Sequence, residues 1–215
     1  AKPAVADEKK MSRTPPPGWK VVSKDLEACP YYSGVLIEGI TEKKIPEFIK
    51  KRLESCGLRS IDLIVDITNY VLLELGQPLH AFDWSKINGG AIEVRWAKDG
   101  EKFLALNGKE YELLNSDLVI ADDLRPVTVA GVIGGEETGV TEKTTEVFLE
   151  CAWFSRKTVR ATARRLGLKT ESSLRFEKET DIESLGLAVG RAAEFIVEMG
   201  GGVPRADLSI YPQRP

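Results

Sequence analysis

The chain has 215 residues, 42% hydrophobic and 29% charged, with a formal net charge of −3. That length allows one large domain or two small ones, and that charge argues against a grip on nucleic acid through the whole surface; any RNA contact must use a local patch or be supported by other parts of a larger protein. No apolar run is long enough to span a membrane, and three cysteines beside one histidine suit neither a disulfide scaffold nor a zinc site, which points to a reducing, cytoplasmic compartment.

The start, AKPAVADEKK, lacks the apolar core of a secretory signal. It begins with Ala rather than Met, so the chain reads as a piece of a longer protein. Residues 1–28 read as a flexible tail, because Pro15-Pro16-Pro17-Gly18 fits neither a helix nor a central strand. Trp19, Val21 and Val22 are available to dock the end of that tail, with order expected from about Cys29–Tyr32.

Tyr32–Glu38 reads as a strand. Thr41 is a candidate N-cap for an amphipathic helix in which Ile45, Phe48, Ile49, Leu53 and Cys56 recur at helical spacing, closed by Gly57. A second helix covers about residues 62–75, and its apolar residues on several sides predict burial. The chain then reverses at Gly76 and runs through Gln77-Pro78-Leu79-His80-Ala81-Phe82-Asp83.

The period changes to two in the middle. Ile92, Val94 and Trp96 alternate with Glu93 and Arg95, and Asn107-Gly108 between Phe103–Leu106 and Glu110–Leu113 is a hairpin signal. Leu118–Ala121, Val127–Ile133 and Glu146–Cys151 add three short strands. Ser155 is placed to cap a helix through Arg165 with Gly167 beyond it, and a last helix of about residues 181–199 stops at Gly200-Gly201-Gly202. Helices, then strands, then helices predict an α+β fold with an antiparallel, barrel-like β core flanked by helices.

Four features have two readings each. His80 is either a packed side chain or a hydrogen-bonding group in a site, and no second histidine exists to share a metal with it. Thr68 and Asn69, in an apolar helix, are either a satisfied core network or a polar pocket wall. Ala130-Gly131-Val132-Ile133-Gly134-Gly135 is either a bulge and turn or a place of close backbone approach, and it is no P-loop because no Gly-Lys-Ser/Thr follows. Glu150 shares a strand face with Phe148 and Ala152, so it is either solvated there or paired and functional. In addition, Arg160, Arg164, Arg165 and Lys169 lie on or near a basic helix face, a solvated surface or a phosphate contact.

Taken together and in order, IVDITNYVLLELGQPLHAFD, LVIADD, VAGVIGGEETGV, the Glu150 strand and TARRLGLKTESSLRFE resemble the B3/B4 editing module of bacterial-type phenylalanyl-tRNA synthetase β subunits. The resemblance covers most of the chain and implies an editing domain over 29–205, with 206–215 a C-terminal linker. It implies hydrolysis of the ester of tyrosine wrongly attached to tRNA(Phe), with the acceptor end of that tRNA, the remaining β-subunit domains and the α subunit as partners, and no membrane. No cofactor is implied for editing; ATP and Mg serve aminoacylation by the parent enzyme and are not bound here. Glu150 matches the tyrosine-hydroxyl reader, Ala130 and Gly131 match pocket-lining positions, and His80 matches the editing-site histidine with Thr68 and Asn69 beside it. Thr170 and Ser172 match the mouth, where the family usually shows alanine at the Ser172 position. With no Ser-His-Asp or Cys-His triad in the pattern, direct attack by water is the simpler expectation. Two other readings stay open: a module that only binds tRNA or an amino acid, and an inert structural fragment.

Overall fold

A computed structural model of the chain describes residues 20–210. The stretch 1–19, with the Pro15-Pro16-Pro17 run and Trp19, and the last five positions, 211–215, lie outside the described residues.

Two sheets face each other across the first core. One is four-stranded, in the order β11 (Val203–Ile210), β2 (Tyr31–Glu38), β10 (Val147–Trp153), β3 (Leu79–Asp83), and is antiparallel throughout. The other is five-stranded, in the order β1 (Lys20–Ser23), β4 (Ala91–Trp96), β7 (Leu118–Ala121), β8 (Pro126–Val129), β9 (Ile133–Gly134), antiparallel except for the β1–β4 pair. The strands β1 and β11 lie beside each other, so the two sheets wrap round their shared core. A separate hairpin, β5 (Lys102–Leu104) and β6 (Glu110–Glu112), turns at the expected Asn107-Gly108, where Gly108 has φ 72°.

The four-stranded sheet is buried on both faces. Tyr32, Leu36, Phe82, Phe148 and Ala152 point to the five-stranded sheet and pack with Val94, Val119, Ile120 and Val129. Tyr31, Val35, Ile37, Ala81, Leu149 and Cys151 point the other way, against the helices α1 (Glu47–Ser55), α2 (Leu63–Leu75) and α5 (Leu185–Gly200). Burial on both faces explains why β2 and β10 read as near-continuous apolar runs instead of alternating ones. The remaining helices, α3 (Arg156–Leu166) and α4 (Glu171–Phe176), supply Val159, Ala163 and Phe176 to the first core. The fold is α+β, as the order of elements predicts.

Several local expectations need correction. The first helix is capped at Pro46, not Thr41. Proline forces the residue before it out of the helical region, so the helix cannot start earlier; Thr41 N–H instead donates to Gly200 O. The stretch expected as one strand, Val127–Ile133, is two strands joined by a turn, because Gly131 adopts φ 69° and Val132 N–H closes back on Val129 O. The tail expected through residue 28 contains β1, which pairs with β4, and the first five residues of the linker expected over 206–215 belong to β11, which pairs with β2. Ser155 precedes α3 without a side-chain cap bond.

Candidate functional site

A cavity of about 240 Å³ opens between the two sheets, α2 and α4. Its floor is set by strand register. In β10, Glu150 stands directly opposite His80 of β3 on one side and Gly34 of β2 on the other. Opposed residues in a sheet point to the same face, so the carboxyl and the imidazole emerge side by side. The walls come from Thr68, Asn69 and Leu72 of α2, the Gly131–Gly134 turn, and Thr170, Glu171 and Ser172 at the start of α4, with Leu106 of the hairpin at the rim.

Two glycines seat the rings of the site. A Cβ on Gly134 would come within 2.5 Å of His80 Cε1, so the imidazole lies flat against that backbone. A Cβ on Gly34 would come within 2.0 Å of Phe148 Cζ, so that ring covers the strand beside Glu150. His80 is further held edge-on to Phe82, with ring centroids 4.5 Å apart.

The floor is buried and under-satisfied. Glu150 is only 5% exposed. Burial pushes its carboxyl pKa up to about 8, against the Tyr32 hydroxyl, which pulls it down. Burial lowers the pKa of His80 to about 4, so the imidazole is neutral at pH 7. Glu150 Oε2, His80 Nε2 and Tyr32 Oη are all buried, and none makes a hydrogen bond among the described residues. An unpartnered buried polar atom costs about 1–3 kcal/mol. Two of the three, on Glu150 and His80, belong to side chains that line the cavity.

The polar walls are partly committed. Thr68 Oγ1 donates to Val65 O at 2.8 Å and faces the cavity as an acceptor. Thr170 is the N-cap of α4 in a reciprocal capping box with Ser173, and its hydroxyl also donates to Val132 O at 2.8 Å. That bond ties α4 to the glycine turn. Ser172 Oγ donates to Gly131 O at 3.3 Å. Glu171 is neutralised by Arg175 at 2.6 Å.

The structure therefore brings together His80, Glu150, Thr68, Asn69, Gly131, Thr170 and Ser172. It leaves out Ala130, which is 3% exposed in the core, its N–H donating to Leu118 O; the turn after it, not Ala130 itself, forms the wall. The basic residues also divide. Arg160, Arg164 and Lys169 are exposed, whereas Arg165 is bound to the buried Asp117 carboxylate and is committed to holding α3 on the sheet. None of the four lines the cavity. Sequence reasoning missed Gly34, Tyr32 and Gly134. The signal for Gly134 was present in the glycine run; nothing local marked the other two.

Among the described residues no three His, Cys, Asp or Glu side chains gather to hold a metal ion. No helix among them is long and apolar enough to cross a membrane.

The chain is thus an α+β module whose cavity has a buried acid and a neutral imidazole at its floor. The sequence model of the B3/4 domain matches residues 28–201, and the chain belongs to that family. Similar curated proteins are phenylalanine–tRNA ligase β subunits. That of Aquifex aeolicus is 50% identical over 188 residues, 87% of this chain and 24% of the relative. That of Porphyromonas gingivalis is 51% identical over 194 residues, 89% of this chain and 24% of the relative. The chain thus spans about a quarter of the length of these relatives. A crystal structure of an N-terminal fragment of the phenylalanyl-tRNA synthetase β subunit from Pyrococcus horikoshii shares the fold, with TM-score 0.59 and 16% identity over 95% of this chain and 57% of that one.

Proposed function

We propose that this chain is the editing module of a phenylalanyl-tRNA synthetase β subunit and hydrolyses the ester of tyrosine misattached to tRNA(Phe). The observation that carries this reading is the pairing of Glu150 with His80 at the cavity floor. A pocket that accepts phenylalanine rejects an added hydroxyl only about a hundredfold, so a second pocket with the reverse preference is useful. Buried Glu150 supplies that preference. A phenol satisfies its unpartnered carboxyl, whereas a plain benzene ring leaves it unsatisfied, a difference worth about ten-thousandfold in favourable sites.

Hydrolysis follows from the rest of the floor and walls. Neutral His80 orients the attacking water or the terminal ribose by accepting or donating one hydrogen bond. Asn69 lines the cavity and supplies amide donors for the ester carbonyl oxygen, and Thr68 accepts from water. The Ser172 hydroxyl donates to a backbone carbonyl and not to a general base, which favours direct attack by water over an acyl-enzyme. Exposed Arg160, Arg164 and Lys169 are the candidates for phosphate contact at the acceptor end. The remaining β-subunit domains and the α subunit complete the assembly in the cytoplasm, and ATP and Mg belong to aminoacylation elsewhere in it.

The test is deacylation of tyrosyl-tRNA(Phe) and phenylalanyl-tRNA(Phe) side by side. The chain is expected to clear the tyrosyl ester selectively. Glu150→Ala lowers that selectivity at least about tenfold, the order of one lost hydrogen bond to a buried acid, and His80→Ala slows hydrolysis. Intact esters with concentrated protein would leave only a binding role, and unchanged rates in both variants would remove Glu150 and His80 from the site.

A further inference from the structure

Behind Glu150 lies a hydroxyl that the ester chemistry does not use. Tyr32 is on β2, two residues before Gly34 and on the same sheet face as Glu150. It is fully buried and does not line the cavity, so it cannot read a ligand directly. Between the two, β2 presents only a glycine at the position opposite Glu150. Tyr32 Oη and Glu150 Oε2 are both sealed from solvent and both lack a partner at hydrogen-bond geometry, yet the hydroxyl is near enough to pull on the carboxyl's ionisation. The two orphans lie on one sheet face, each the other's available partner.

We propose that Tyr32 is the positioning residue of the tyrosine reader: its hydroxyl engages the sealed oxygen of Glu150 and so fixes the other carboxyl oxygen toward the para position of the bound ring. This rests on the reading of Glu150 as the group that selects tyrosine. It deepens that reading by making selectivity depend on a residue that no ligand touches. A carboxyl free to rotate about its last bond presents either oxygen to the cavity and loses part of its discrimination; a clamped one does not.

The titratable groups around Glu150 are few. Tyr32 faces it from β2, Cys29 lies just before that strand, His80 faces it from β3, Glu171 stands across the cavity on α4, and Cys151 adjoins it on β10. No lysine or arginine lines the cavity among the described residues. Removing the Tyr32 hydroxyl therefore removes the influence that holds the Glu150 pKa down, and the titration moves upward from about 8.

The experiment compares Tyr32→Phe, Glu150→Gln and the double variant in deacylation of tyrosyl- and phenylalanyl-tRNA(Phe), through the pH range around 8 where Glu150 titrates. Thermal midpoints report folding. Tyr32→Phe is expected to lower the tyrosyl-over-phenylalanyl preference about tenfold, to move the pH midpoint of that preference upward, and to leave the phenylalanyl ester rate unchanged. In the Glu150→Gln background the same substitution changes nothing further. A Tyr32→Phe chain with wild-type preference and midpoint overturns the proposal. So does an effect that persists undiminished in the Gln background, because that is packing and not positioning. A wild-type chain with no tyrosyl preference overturns the editing reading itself and the proposal with it.

Discussion

Glu150 and His80 carry opposite pH liabilities, and both come from burial. The Glu150 carboxyl ordinarily titrates near 4.5 and is raised to about 8 in the folded chain. Below 4.5 both states hold the proton and stability is intact. Between 4.5 and 8 the unfolded chain ionises while the folded one does not, so stability falls as pH rises through that window and levels off above it. His80 works the other way: its pKa drops from 6.5 to about 4, so stability is present above 6.5 and is lost as pH falls toward 4. Glu150→Gln is expected to remove the alkaline loss. Its urea midpoint, set against wild type, gains steadily between the two ends of the 4.5 to 8 window. A constant difference across that window would mean that the carboxyl is not buried as an acid. The selectivity proposed for Glu150 and its cost in stability thus have one origin, a polar group taken out of water without a full set of partners.

At the level of elements, the site depends on strands meeting at glycine. Gly134→Ala places a methyl 2.5 Å from His80 Cε1. The backbone there has no positive φ, so alanine is tolerated conformationally and the imidazole must yield instead. The expected result is a loss of about 1–3 kcal/mol in stability from overpacking, with a fall in deacylation rate larger than in Gly190→Ala. Gly190, inside α5, has nothing within 4 Å of an added Cβ, and alanine there is expected to stabilise the helix by about 0.5–1 kcal/mol. Calorimetry with the ester assay checks both; an unaffected Gly134→Ala would show that the imidazole is not seated on that strand. The same elements show what was readable in advance. The helix α2 was legible because apolar residues recur at helical spacing; its cap, Asp62, which accepts from Ile64 N–H and Val65 N–H, was not singled out in the sequence. The strands β2 and β10 were legible as apolar runs. The strand β3 was not, because Leu79 and Ala81 face one core while His80 and Phe82 face the other, which leaves no polar–apolar alternation to see. The helix α4 spans only six residues, too few for a period, and β1 spans only four, hydrogen-bonded in parallel to a strand far along the chain.

Over the whole molecule, a net charge of −3 opposes a broad grip on RNA, so the tRNA contact proposed above would draw on a few exposed cations. Arg160 and Arg164 have no ion-pair partner among the described residues, whereas Arg165 is spent on Asp117. Replacing Arg160 and Arg164 together by alanine is expected to reduce the slope of log affinity against log salt by about 1–2 units. An unchanged slope in a filter-binding titration would move the RNA contact to another face.

The amino-acid sequence by itself determined the α+β class, the amphipathic helices, the Asn107-Gly108 turn and the inventory of chemically able side chains, because those depend on local propensity and on periods of two and 3.6 residues. Only the tertiary structure decided that His80 and Glu150 are neighbours. That follows from the hydrogen-bond register of β3 against β10, fixed by two cores that bury both faces of the sheet. A slip of one residue would turn Glu150 into the helical core and leave the cavity without its acid.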